Sequence, residues 1–167
     1  LFMKAKELMD KNFVYLNSED SIIEVSKVME EIRRFTCPVV NDNKQLVGWI
    51  TSFNITKGLR EGKSTIEDVM SPVSEIMSIG ENEPARNIVI ETSKNKLISI
   101  PIINDENQVI GVSRSVDIVD SMSALYDIKV KKIYEATGIQ SDIPFLSEAR
   151  WVVESWVRCY GYDFFSE

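Results

Sequence analysis

The 167-residue chain has no histidine and two cysteines, Cys37 and Cys159. The first absence removes the imidazole ligands of a zinc site and every histidine-based catalytic triad. The cysteines stand too far apart for a CxxC pair or a metal-ligand spacing, and their scarcity fits a reducing, cytoplasmic setting. Positive charge is also in short supply. The chain carries 19 Lys and Arg against 26 Asp and Glu, a net charge of −7, and its cations are scattered among acids, so no basic face for a nucleic-acid backbone is expected. No apolar run approaches the roughly 20 residues needed to cross a bilayer, and Leu1-Phe2-Met3 does not open a signal peptide. No P-loop and no metal-ligand cluster can be assembled, and scattered carboxylates are too common to indicate catalysis. The chain is therefore read as a non-enzyme. With 44% hydrophobic and 27% charged residues, it has the apolar content of an ordinary folded domain.

What is present is a repeat. Cys37-Pro38-Val39-Val40-Asn41-Asp42 returns as Ile100-Pro101-Ile102-Ile103-Asn104-Asp105, and Gly48 and Asn54 return as Gly111 and Asp117, all at a constant offset of 63 residues. A unit of about sixty residues is too long for a fibrous repeat and too short to be a secure domain alone, so the two copies are expected to share one pseudo-symmetric core with a cleft between them. Local periodicity reads alike in both. Phe13–Leu16 is expected as a strand, and Ser21 with Glu24 has capping-box spacing before the apolar stripe of Ile22, Val25, Val28, Met29 and Ile32. Arg33 and Arg34 fall where that helix ends. Val39-Val40 and Leu46–Ile50 form a hairpin across a polar turn, and a second helix runs from about Ser52 to before Gly62. In the second copy, Ile76–Ile79 is the opening strand and Glu83-Pro84 starts a helix. Ile100–Ile103 and Val109–Val112 form the second hairpin, and a helix runs from about Ser115 toward Tyr126. Short helical turns, Ala5–Met9 and Ile66–Met70, precede the copies. The expected fold is α+β: two pseudo-symmetric β-α-β-β-α repeats packed as one module, at 1–62 and 63–126, with a helical extension at 127–167.

These features together resemble a tandem cystathionine β-synthase (CBS) domain pair, a regulatory module attached to many enzymes, channels, transporters and transcription regulators. The resemblance rests on the leading turns with Leu8-Met9 and Val69-Met70, the Pro38-Val39-Val40-Asn41-Asp42 strand and its partner, and the closing glycine-to-aspartate segments, and it covers residues 5 to about 122. It implies a ligand-sensing role in signal transduction. The ligand would be an adenine nucleotide or related adenosyl compound such as AMP, ADP, ATP or S-adenosylmethionine, held in the cleft between repeats. It also implies a homodimer formed through the repeats.

The family's ligand site lies where the second hairpin strand passes into the last helix of each repeat. A hydroxyl or cation beside free helix N–H groups suits a phosphate, and a carboxylate one turn later accepts both ribose hydroxyl protons. The candidate ligand residues are therefore Arg114 and Asp117 in one copy and Thr51 and Asn54 in the other, with backbone groups near Pro38 and Pro101 reading the adenine edge. Asn54 replaces the charged acceptor, and Arg114 replaces the hydroxyl and favours a charged nucleotide. The second site ranks above the first. The same polar residues also fall where helix-capping groups belong. Gly48 and Gly111 admit either a ligand approach or relief of strand crowding. A competing reading is a ligand-free dimerisation and assembly module, with Trp49 or Arg114 folded into filled clefts.

Beyond Asp120 the register fails. Ser121–Thr137 has a helical pattern, and Asp142-Ile143-Pro144 opens another with a wide apolar face from Phe145 to Tyr160, followed by the aromatic Tyr160–Phe165. Such a face calls for a partner, either the repeats, a second subunit or an effector domain.

Overall fold

The computed structural model describes residues 3–124 and 127. The expected helices at 128–137 and from Asp142 onward, the aromatic tail and Cys159 lie outside them. Among the described residues, two three-stranded sheets carry the repeats, ordered β1 (Thr36–Val40), β2 (Leu46–Thr51), β3 (Ser71–Pro72) and β4 (Ile79–Gly80), β5 (Ser99–Ile103), β6 (Val109–Arg114). Helix α1, Ile22–Ile32, begins where the Ser21 side chain accepts the Glu24 N–H. The capping box is one-sided, because the Glu24 carboxylate pairs with Lys27 at 3.1 Å instead of reaching back. Burial of Ile22, Val25 and Met29 holds the inward stripe of α1, at about 1.5–3 kcal/mol for each large side chain taken from water. Strands β1, Thr36–Val40, and β2, Leu46–Thr51, form the first hairpin, and α2, Ser52–Glu61, ends on Gly62 in the left-handed region at φ 69°, where glycine alone carries no steric penalty.

The second copy follows with α3, Ala85–Asn95, strands β5, Ser99–Ile103, and β6, Val109–Arg114, and a helix α4 over residues 115–124. The duplication extends to backbone strain. Arg33 and its counterpart Lys96 both end a helix at φ 53°, and Lys44 and Asn107 both turn a hairpin at φ 63°, so the left-handed positions are inherited by the repeat rather than chosen by residue type.

Two expected strands shrink to contacts. Phe13–Leu16 joins its sheet only through the Leu16–Val39 bridge, and the second opening strand is β4, Ile79–Gly80, alone; Ile76 instead closes the 3-10 turn Val73–Glu75. Strand β3 is Ser71–Pro72. A few residues suffice because the hairpins already supply the ladder. Pro84 stands at the cap of α3 rather than inside its first turn, which leaves its missing N–H harmless all the same.

Neither repeat closes its own core. The leading turn Ala5–Glu7 sends Ala5 and Leu8 into a cluster with Ile79, Ile88, Ile100, Ile102 and Met122 of the second repeat. The turn Ile66–Asp68 sends Ile66 into the cluster of Leu16, Ile22, Val25, Val39 and Ile50 in the first. Reciprocal backbone bonds fasten the exchange, Ala5 N to Glu83 O at 2.8 Å and Ile66 N to Asp20 O at 3.0 Å. Where the hairpins meet, Gln45 donates to Glu106 O at 3.0 Å and Gln108 to Asn43 O at 2.9 Å, and the hydroxyls of Thr36 and Ser99, 63 residues apart, bond to each other. These paired contacts mark the pseudo-two-fold axis.

Candidate functional site

The end of β6 and the first turn of α4 place Arg114 and Asp117 together. Nε and Nη2 of Arg114 each donate to a different oxygen of the Asp117 carboxylate at 2.8 Å, the forked geometry that suits guanidinium and carboxylate best. Hydrogen bonding to Asp117, aided by the charges of Asp10 and Asp120, holds the Arg114 guanidinium above its usual range against the pull of partial burial. The two residues expected to contact phosphate and ribose thus contact each other here. A carboxylate oxygen has two lone pairs, so Asp117 keeps acceptor capacity for ribose hydroxyls while Arg114 fixes its orientation.

Across from this pair stand residues that the sequence did not mark. Asp10 follows the first leading turn and is fixed by a two-way backbone bridge to Val112, Asp10 N to Val112 O at 2.8 Å and the reverse at 3.0 Å. Its Oδ2 accepts from Arg34 Nη2 at 2.9 Å and lies 4.0 Å from Arg114 Nη2. A small cavity of about 20 Å³ sits among Asp10, Phe13, Arg34, Pro38, Val112 and Arg114. It therefore brings Pro38 of the first repeat to Arg114 of the second, across the cleft that the duplication predicts. This volume holds about one water. With the side chains as they stand, it does not hold a nucleoside. The Pro38 carbonyl already accepts the Leu16 N–H at 3.0 Å. The signals available for the missed pair were the Arg33-Arg34 doublet at a helix end and an acid directly after Leu8-Met9.

The other junction is built differently. Thr51 and Asn54 form a complete capping box at the start of α2: Asn54 N donates to Thr51 Oγ1 at 3.2 Å, and Thr51 N and Oγ1 donate to Asn54 Oδ1 at 2.8 and 2.9 Å. Pro101 pairs with Val112 in the β5–β6 ladder, and Trp49, the counterpart of Val112, is 8% exposed. By the 63-residue register Leu97 and Thr51 take the places of Arg34 and Arg114, and Ser71, which pairs with Trp49 as Asp10 pairs with Val112, takes the place of Asp10. This half has no ion pair at the corresponding positions. The glycines relieve crowding by methionine. A Cβ on Gly48 would lie 2.5 Å from Met70 Sδ, and one on Gly111 would collide with Met9 Sδ, so each glycine seats the methionine of the other repeat's leading turn.

The CBS domain model matches residues 5–61 and 66–124. The chain belongs to the CBS domain family. As a CBS pair it is 35% identical over 135 residues to the protein MJ1004 of Methanocaldococcus jannaschii, which covers 80% of this chain and 63% of that protein; the chain thus spans less than two thirds of that relative. It is also 35% identical over 120 residues to the CBS domain-containing protein MJ0729 of the same organism, covering 71% of this chain and 94% of that protein. Among solved structures, the CBS pair superposes on MJ1004 with a TM-score of 0.73 at 33% identity, covering 81% of this chain and 67% of that one. It superposes on the CBS domain pair of MJ0100, solved with 5'-methylthioadenosine and S-adenosyl-L-methionine, with a TM-score of 0.66 at 29% identity, covering 74% and 98%. The expected fold class and the family resemblance are both borne out. No helix among the described residues is long and apolar enough to cross a membrane.

Proposed function

We propose that this CBS pair is a regulatory, non-catalytic module that binds an adenosyl ligand in the cleft holding Asp10, Arg34, Arg114 and Asp117 and passes the change to an attached or partner effector through α4 and the segment that follows it. The observation that carries this reading is the convergence of Pro38 from one repeat with Arg114 of the other, itself forked to Asp117, around one cavity. The ligand seen with the similar MJ0100 pair supports an adenosyl compound. In this reading, Asp117 accepts the ribose hydroxyls, and α4, which starts at the site, moves when the ion pairs rearrange. Coupling requires only that the ligand bind one arrangement more tightly than the other. Cytoplasmic placement and a homodimer formed through the repeats belong to the same proposal.

The ligand-free assembly reading draws on the first cleft. There Trp49 is buried and Thr51 and Asn54 are committed to capping, so that half suits a filled, structural role. Calorimetric titration of protein stripped by unfolding and refolding separates the two readings, with AMP, ADP, ATP, S-adenosylmethionine and cyclic di-AMP as probes. Saturable binding at one site per chain is the expected result. Silence from every probe would leave the assembly module.

A further inference from the structure

Arg34 is the cleft residue whose bonding is incomplete. Arg114 spends Nε and Nη2 on Asp117, whereas Arg34 gives Nη2 to Asp10 and leaves Nη1 buried without an acceptor among the described residues. A buried guanidinium N–H with no partner is costly and is rarely left so without a function. Its place in the fold does not demand an arginine, because the other repeat carries Leu97 at the same position in the same hairpin entry. The partner acid is equally unrepeated, with Ser71 opposite Trp49 where Asp10 stands opposite Val112. Two charged residues that the duplication does not require therefore sit beside one cleft and not the other.

We propose that Arg34 reads an anionic group at the 5' end of the adenosyl ligand, and that it does so in this cleft alone. The anion is a phosphate of a nucleotide or the carboxylate of an adenosyl amino acid; both match a guanidinium edge. Asp10 orients Arg34 through Nη2 and, being an anion itself, opposes the incoming charge. Arg114 acts as a positioning residue for Asp117. The module then discriminates charged from uncharged adenosyl compounds at one site per chain. This inference rests on the ligand reading above but is separable from it.

The test is calorimetry on the stripped chain with adenosine, AMP and S-adenosylmethionine. AMP or S-adenosylmethionine is expected to bind at least about tenfold more tightly than adenosine, in line with a hydrogen bond to a charged group. A preference for AMP identifies a phosphate, and one for S-adenosylmethionine a carboxylate. Arg34→Leu, which installs the residue of the other repeat, is expected to bring the ratio of anionic ligand to adenosine near one while leaving adenosine unchanged. Asp10→Asn removes the opposing charge; its one amide oxygen can still accept from Arg34 at the expense of the bond that the other Asp10 oxygen accepts from Asn12 N, and the anionic ligand is expected to tighten about threefold relative to adenosine. Should Arg34→Leu fail to fold, the Asp10→Asn ratio decides alone, and an unmoved ratio rejects the assignment. Equal binding of adenosine and its anionic derivatives to the parent chain, or an Arg34→Leu loss shared by adenosine, overturns it as well. If none of the three ligands binds, the ligand reading itself falls.

Discussion

At the scale of single residues, Asp117 and Cys37 show how position sets chemistry. Asp117 is about three-quarters buried, its side chain being 25% exposed, and is held in a fork by Arg114, so its carboxylate is preoriented at the head of α4. Asp117→Ala should lower the affinity for an adenosyl ligand about tenfold or more, since both ribose hydroxyls lose a charged acceptor; calorimetry showing unchanged affinity would remove Asp117 from the site. Cys37 has no such role. It is 2% exposed in the core of the first repeat, and burial pushes its thiol up to about 11. The folded state therefore favours the protonated thiol. Its contribution is fully present below the unfolded value, near 9, and is lost as pH rises toward about 11. Urea unfolding from pH 8 to 11 should show a steeper alkaline loss of stability in the parent chain than in Cys37→Ala. Parallel curves would mean that the thiol is not desolvated.

At the scale of elements, the leading turns are the parts whose role reaches furthest beyond their length. Ala5–Glu7 and Ile66–Asp68 are three-residue 3-10 turns, yet each closes the core of the opposite repeat and rests a methionine on a glycine. Gly111→Ala would drive Cβ into Met9, and overpacking of this kind costs about 1–3 kcal/mol. Met9→Ala in the same chain should recover part of that loss, giving a coupling energy of stabilising sign in a double-mutant cycle read from unfolding midpoints. A neutral Gly111→Ala would show that Met9 yields freely and anchors nothing. The helices and hairpins were legible from sequence because each carries its own periodicity: Thr51 and Gly62 cap α2 as its polar and glycine ends dictate, and the Pro38 and Pro101 strands repeat in register. The exchange of leading turns was not legible, because a three-residue turn has no period and its partners lie in the other copy. The same holds for the site. Arg114 and Asp117 could be named because the family resemblance points to the strand-to-helix junction, but Asp10 and Arg34 meet only through tertiary packing, 24 residues apart.

At the scale of the whole molecule, the pseudo-two-fold that unites the repeats also doubles an apolar surface. Phe53 is 80% exposed and Phe35 65%, and their counterparts Val116 and Ile98 are 47% and 49% exposed. The groove between α1 and α2, about 980 Å³ and lined in part by Met29, Phe35 and Ile55, has its equivalent of about 190 Å³ beside Thr92, Leu97 and Ile118. Exposed apolar residues that recur at matching places on both halves are not scattered singletons. They are two matching patches related by rotation, and an isologous dimer pairs such matching patches. The parent chain is accordingly expected to sediment as a dimer at micromolar concentration. Phe53→Glu places a charge at the most exposed of these positions and removes a side chain worth about 2 kcal/mol when buried. Both copies lose it at once, so the variant should sediment as a monomer over the same range. Thermal unfolding and adenosyl-ligand titration of the variant separate an interface effect from a folding effect: a retained ligand site on a monomer places the dimer contact on the helices and the sensing in the cleft. A monomeric parent chain would leave that apolar face to the effector instead.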